Sequence, residues 1–150
     1  MFRINKFRFV WFNTSNVTTM YGLFWFCESL KELDIINFST SNVTNMRYMF
    51  SDCYSLIILD LTNFDTLNVR YITDMFYDCT NLETIYVSEL WDVCHLSIIP
   101  VFTGCNKLVG GNGTSVAEME KLDMDYDFIE YAIIDGKNGY LTDIADKPTE

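Results

Sequence analysis

The sequence predicts an α/β repeat solenoid, a right-handed coil with a parallel strand ladder on one side and short helical turns behind it. Three observations support this fold class. Cysteines recur at intervals of 26 residues, phenylalanines precede them, and leucines follow them at the same interval. A fixed period of this length is typical of a stack of one supersecondary unit rather than of a domain with a single closed core.

Each copy of the unit contains a short extended segment. In the third copy Leu56, Leu59 and Leu61 follow the spacing Leu-x-x-Leu-x-Leu, which places apolar side chains on one face, as in the strand of a leucine-rich repeat. We therefore expect parallel strands at residues 4–9, 30–35, 56–61 and 82–87.

A polar turn follows each strand, rich in side chains that bond their own backbone. After this turn Val43, Met46, Met49 and Phe50 fall at i, i+3, i+6 and i+7. This apolar stripe predicts one or two helical turns packed behind the strand. The fourth copy should be the most irregular, because Pro100 stands where a helix would continue.

Asparagines also stand in register, and a buried amide in a turn can bond backbone groups of its own coil and of the next. We therefore interpret them as a structural ladder rather than as binding residues: Asn16, Asn42 and Asn68. Cys94 takes this position in the last copy, so the ladder should end there.

The cysteines that mark the period are expected to form a second structural ladder: Cys27, Cys53, Cys79 and Cys105. Parallel side chains about 4.8 Å apart fit disulfide geometry poorly. We expect reduced, buried thiols that act as small apolar residues. A metal site formed by these cysteines is the more specific alternative. It is not favoured, because the chain has no Cys-x-x-Cys pair and each copy would supply only one ligand. No metal and no cofactor is predicted.

The repeat resembles the BspA-like leucine-rich-repeat family of bacterial and protist surface proteins, whose unit contains Thr-Ser-Asn-Val-Thr-x-Met-x-x-Met-Phe-x-x-Cys-x-x-Leu. The chain matches this pattern from Thr40 to Leu56. The resemblance covers about residues 4–109, and residues 104–114 and 131–142 also look like the family's exit from its last repeat and its terminal strands. It implies surface exposure, secretion or display, and adhesion, although the chain has no visible signal peptide.

Two regions follow from these patterns: a solenoid of about four repeats at 1–109 and an acidic C-terminal cap and tail at 110–150. Residues 131–142 predict a β-hairpin that covers the end of the last coil. The run Asp123–Asp127 suggests the start of a calcium loop, but Phe128 and Ile134 stand where such a loop needs Gly and Glu. A solvated acidic turn is the simpler interpretation.

The net charge of −11 is concentrated in the tail, which argues against nucleic acid as a partner because phosphate binding needs clustered Lys and Arg. No run of apolar residues is long enough for membrane insertion. The single histidine, His95, stands where earlier copies have Val, and no catalytic motif occurs. We therefore predict no enzyme and no catalytic residue.

The solvent-facing positions of the strands are the candidate binding surface: Asp34, Ile58, Asp60 and Tyr86. One of Ile57 and Ile58 must face outward if the strand alternates, and an exposed apolar spot beside aspartates and a tyrosine suits a partner. Alternatively, both isoleucines pack under a neighbouring segment or under another copy of the chain, so self-association is possible.

These observations lead to one main hypothesis, a non-catalytic binding module that contacts a protein or glycan at a host or neighbouring cell surface through its strand face. The alternative is a structural spacer or antigenic repeat segment without a specific ligand.

Overall fold

A computed structural model of the chain describes residues 6–9, 11–93, 96, 100–111, 113, 115, 141–143, 145 and 147–148. Within them it contains five strands: β1 (Lys6–Arg8), β2 (Glu32–Asp34), β3 (Ile58–Asp60), β4 (Thr84–Val87) and β5 (Thr142–Asp143). The predicted hairpin at 131–142 and the acidic run at 123–127 lie almost entirely outside these residues, as do Cys94 and His95.

Successive copies lie side by side in parallel, offset by one period. β1 pairs with β2 and β3 pairs with β4, while isolated parallel bridges join the copies at the rear. All these pairs join residues 26 positions apart, as Phe7 with Leu33, Leu59 with Ile85, and Thr19 with Asn45. β5 also pairs parallel to β4, with Thr142 opposite Tyr86, so the end of the chain returns to the strand face.

Inward and outward residues alternate along the strands. Leu33, Leu59 and Ile85 point into the core, and the residues beside them point outward. This alternation follows from the two-residue period of a strand.

The segments behind the strands differ from the expected helical turns, and no α-helix occurs among the described residues. An α-helix would direct each N–H to the carbonyl four residues earlier. Here alternate N–H groups bond instead to the next copy, as from Phe24 to Met49 O at 2.9 Å and from Phe50 to Met75 O at 2.9 Å. The residues between them close tight turns, as from Cys27 N to Phe24 O at 3.1 Å.

Left-handed backbone at two positions of the repeat explains why no helix forms. Tyr48 and Asp74 share one position, with φ of 56° and 55°, while Asp52, Asp78 and Gly104 share another, with φ of 61°, 53° and 80°. A right-handed helix cannot pass through such residues. The apolar stripe that suggested a helix is still buried, because these turns repeat the same inward positions.

The phenylalanines of the period form a continuous stack through the core. Neighbouring ring centroids are 5.5, 5.5 and 5.4 Å apart, and the rings are within 7° of parallel. The stack consists of Phe24, Phe50, Phe76 and Phe102. Each ring therefore fills the space between two coils, which couples neighbouring copies through the core.

Buried threonines form a further ladder that the sequence interpretation missed. Thr14, Thr40 and Thr66 each donate a hydroxyl hydrogen bond to a carbonyl of the next copy and accept one from the N–H of the same residue. For Thr66 these distances are 2.8 Å to Asp92 O and 2.7 Å from Asp92 N. A side-chain hydroxyl thus replaces a backbone bridge at this corner of the coil.

Replacing Thr66 with valine should lower the free energy of unfolding by about 2 kcal/mol, because the shape is kept while both Asp92 backbone groups lose this partner. Thr66→Ser keeps the hydroxyl and removes one buried methyl, so it should cost only about 1 kcal/mol. Urea denaturation of both variants measures the difference. A Thr66→Val protein as stable as the parent would contradict the role given to this hydroxyl.

Candidate functional site

The four residues predicted for the binding surface line one open groove across the strand face. Asp34 ends β2, Ile58 and Asp60 lie in β3, and Tyr86 lies in β4. The groove has a volume of 690 Å³. We call it the strand-face groove and define it by Asp34, Ile36, Ile57, Ile58, Asp60 and Tyr86, joined by Lys147 from the C-terminal segment.

The apolar part of this groove consists of three isoleucines. Ile36, Ile57 and Ile58 are 52%, 42% and 51% exposed. Ile57, just before β3, and Ile58, its first residue, therefore both reach solvent, where the alternation of a strand required only one of them to do so. Ile36 was not among the predicted residues, because it follows β2 and lies outside the alternating pattern. Clustered exposed apolar side chains of this kind mark contact surfaces.

Asp60 is the best-connected polar group of the groove. Its Oδ1 accepts hydrogen bonds from the Thr62 N–H at 3.1 Å and from the Thr62 hydroxyl at 2.8 Å. Its Oδ2 forms an ion pair with Lys147, whose Nζ lies 5.6 Å from the centre of the Tyr86 ring. Partial burial works to raise the pKa of Asp60, but the bonds from Lys147 and Thr62 prevail and lower it.

This lowered pKa predicts a pH dependence of stability. A carboxyl group whose pKa is lower in the folded state contributes stability above its unfolded pKa, about 3.9, and loses it as pH falls through the folded value. Lys147→Ala should therefore lower the urea midpoint at about pH 7 and have little effect at about pH 2.5.

Lys107→Ala is the matched control, because Lys107 bonds Asn81 Oδ1 at 2.7 Å and contacts no carboxylate of the strand-face groove. An effect of Lys147→Ala that is equally large at both pH values would show that the ion pair with Asp60 is not its origin.

Asp34 is also paired, in this case with the neighbouring strand. Its Oδ2 accepts a hydrogen bond from Arg8 Nε at 2.9 Å. Arg8 lies directly opposite Asp34 in the ladder of β1 and β2. This pair therefore belongs to the repeat, whereas Lys147 reaches Asp60 across 87 residues of sequence.

The strand ladder is broken beneath the groove. β2 and β3 lie side by side, but they belong to different sheets. Phe9 N donates to Asp34 O at 3.2 Å and Leu61 N donates to Tyr86 O at 2.8 Å. The equivalent bond from Ile35 N to Asp60 O does not form, although both strands are fully described. The strands β2 and β3 are therefore joined by packing and by side-chain bonds rather than by a shared sheet.

Asn63 connects the second and third copies just beyond this break. Its Nδ2 donates to Ile36 O at 2.9 Å and to Phe38 O at 2.6 Å, while its buried Oδ1 has no hydrogen-bond partner. Asn37 occupies the same position one copy earlier. The sequence interpretation did not single out Asn63, but its recurrence with Asn37 at the 26-residue period could have identified it as a structural residue.

The predicted asparagine ladder bonds neighbouring copies, but from the surface. Asn42 Nδ2 donates to Ser15 O at 2.8 Å, and Asn68 Nδ2 donates to Ser41 O at 2.7 Å. Asn16, Asn42 and Asn68 are all exposed, so the expectation that they are buried is wrong. The amides still satisfy carbonyls at the rim of the coil, where the polar turn faces solvent.

The predicted cysteine ladder consists of free thiols. Cys53, Cys79 and Cys105 are buried and donate to the phenylalanine carbonyls of the preceding copy, at 3.2, 3.0 and 2.9 Å. The thiols are thus weak hydrogen-bond donors between copies in addition to filling space. Burial raises the pKa of Cys27 and of Cys53, and the neighbouring Cys105 thiol together with burial raises that of Cys79.

Thiol reactivity should follow exposure along this ladder. A raised pKa lowers the fraction of reactive thiolate, and Cys27 is the one described cysteine that is only partly buried. Brief alkylation of the folded protein near pH 8, followed by peptide mass mapping, should label Cys27 well before the other three. Equal labelling of Cys27 and Cys79 would contradict the packing.

Within the described part of the chain, no group of three His, Cys, Asp or Glu side chains could hold a metal ion. Nor does that part include a helix with the length and apolar character needed to cross a membrane.

Comparison with known proteins shows a family for this chain. A family model described as "Mycoplasma protein of unknown function, DUF285" matches residues 1–109. No curated protein and no solved structure matches the chain.

Proposed function

The chain belongs to the DUF285 family of Mycoplasma proteins of unknown function, and from this premise we propose that it is a non-catalytic binding module that contacts its partner through the strand-face groove. One observation carries the proposal. Residues from three strands that stand apart in sequence, Asp34, Ile58, Asp60 and Tyr86, line a single open groove. Exposed isoleucines beside fixed carboxylates combine apolar contact area with polar groups that orient a partner.

A leucine-rich-repeat solenoid is the fold we propose for this module. The 26-residue offset of the strand pairs and rear bridges supports it, as do the ladders of Phe, Thr, Asn and Cys between copies. Repeated coils of this kind present one strand per copy on a shared surface, so a partner can contact several copies at once.

A binding role also agrees with the state of the two carboxylates. Asp34 is bonded to Arg8, and Asp60 is bonded to Thr62 and Lys147. A general base needs an available lone pair directed at its substrate, whereas these groups are engaged with cations and N–H donors of their own chain. Display at a cell surface, or secretion, is a further part of the proposal and rests on the resemblance to BspA-like repeats.

An array of extracellular-matrix proteins and glycans tests the proposed function. The purified monomeric chain should bind at least one component saturably, and an unfolded sample at the same concentration should not, because the groove is assembled from separate copies. Equal binding by folded and unfolded samples, or no binding by either, would favour a structural spacer without a specific ligand.

A further inference from the structure

A cation from the distant end of the chain occupies the polar end of the strand-face groove. The Lys147 ammonium group contacts Asp60 Oδ2 and lies over the ring of Tyr86. Both side chains of the ion pair remain accessible, with exposures of 40% for Lys147 and 29% for Asp60. An accessible ion pair is weak and readily exchanged, so another cation can take the place of Lys147 without unfolding the strands.

The surroundings of Asp60 suit a side chain with an apolar stem and a positive end. Ile57 and Ile58 are exposed beside the carboxylate, and the Tyr86 ring provides a π face for a cation. Lysine and arginine bury their methylene chains along apolar surface while the charged group finds a carboxylate. The groove therefore matches the chemistry of Lys or Arg at more than one point.

The charge of the whole protein favours the same kind of partner. At −11 it attracts basic molecules over a distance and repels acidic ones.

We propose, on the basis of the proposed function, that the strand-face groove takes an extended lysine- or arginine-bearing segment of a protein partner and that Lys147 competes with it for Asp60. The contact of Arg8 with Asp34 has a different role, because it joins directly opposed residues of adjacent strands. Lys147 thus occupies the position of the partner's cation, and removing its charge makes the Asp60 carboxylate available to the partner.

Fluorescence anisotropy with two labelled peptides tests this inference. In one peptide lysine alternates with isoleucine, and in the other glutamate replaces every lysine. The lysine peptide should bind saturably, and Lys147→Met should tighten its binding about three- to tenfold, since the competitor is a partly exposed ion pair. Asp60→Asn should weaken it by a similar factor. The glutamate peptide should not bind.

Two controls separate the explanations. Lys107→Met removes the same charge at a residue that bonds Asn81 and does not line the strand-face groove. It should leave the affinity within about twofold of the parent, since an exposed charge without a carboxylate partner in the groove contributes little. The urea midpoint of each variant shows that it remains folded. An unchanged affinity of Lys147→Met, equal binding of the two peptides, or no binding of the lysine peptide overturns the inference.

Failure of this inference can be distinguished from failure of the proposed function. One outcome is that an array component binds the folded chain while the lysine peptide does not bind, binds no better than the glutamate peptide, or binds Lys147→Met as it binds the parent. In that case the groove binds a neutral or acidic partner, such as a glycan, and only the inference fails. If neither the array nor the lysine peptide gives saturable binding, both proposals fail.

Discussion

Replacing Phe76 with alanine should lower the free energy of unfolding by about 3–5 kcal/mol, the range for removal of a buried aromatic side chain. Phe76 is fully buried, and its ring lies between those of Phe50 and Phe102 at 5.5 and 5.4 Å. The neighbouring rings cannot collapse into the cavity without leaving their own coils. A single domain is typically stable by only about 5–15 kcal/mol, so this loss is a large part of the total. Urea denaturation followed by far-UV circular dichroism measures it.

Trp11→Ala is the matched aromatic control. Trp11 is 94% exposed, and substitutions at such sites usually change stability by less than about 0.5 kcal/mol. If Phe76→Ala cost no more than Trp11→Ala, the stack would not be what joins the copies.

Gly104→Ala should lower the free energy of unfolding by about 3 kcal/mol, for two separate reasons. Its backbone has φ of +80°, which costs a residue with a Cβ atom about 1–2 kcal/mol. A Cβ atom would also overlap Asp78 Oδ1 and lie 3.1 Å from Asp78 Cα, and relief of such a clash typically costs about 1–3 kcal/mol. Thermal and urea unfolding of the variant give the value.

Gly113→Ala separates these two contributions. Gly113 has φ of +84°, and a Cβ atom there would meet nothing within 4 Å. Only the backbone cost of about 1–2 kcal/mol should remain. Equal losses at Gly104 and Gly113 would mean that the coil carrying Asp78 does not lie as close to Gly104 as the structure places it.

The strands were predictable because their signal is local and repeated. Each of β1 to β4 lies within a segment that the Leu-x-x-Leu-x-Leu spacing had assigned, and each observed strand is shorter than predicted. The spacing identifies which side chains are buried, but it does not show where backbone pairing ends. Pairing depends on the neighbouring copy, as the broken ladder between β2 and β3 demonstrates.

The turns behind the strands were mispredicted because the apolar stripe alone does not distinguish a helix from stacked turns. Both place Met46, Met49 and Phe50 inward. The distinguishing signal was the residue type one position before each cysteine in the later copies, where Asp52, Asp78 and Gly104 stand. Gly and Asp tolerate left-handed backbone better than other residues, and their recurrence at one position points to such a turn.

The candidate site was predictable only in part. Asp34, Ile58, Asp60 and Tyr86 follow from strand alternation, which places outward residues on one face. Lys147 could not be found this way, because it lies outside the repeat and reaches Asp60 only through the return of the chain along β4. A period predicts contacts between copies but not contacts from a segment that does not repeat.

The most direct test of the binding role compares two variants against the partner that the folded chain binds. Ile58→Asp with Tyr86→Ala alters the strand-face groove, while Leu67→Asp adds the same charge at a residue that is 69% exposed and lies outside the groove. We predict that the double variant, folded by circular dichroism, loses binding by at least tenfold, the effect of about 1.4 kcal/mol, while Leu67→Asp binds as the parent does. Unchanged binding by the double variant would contradict the account.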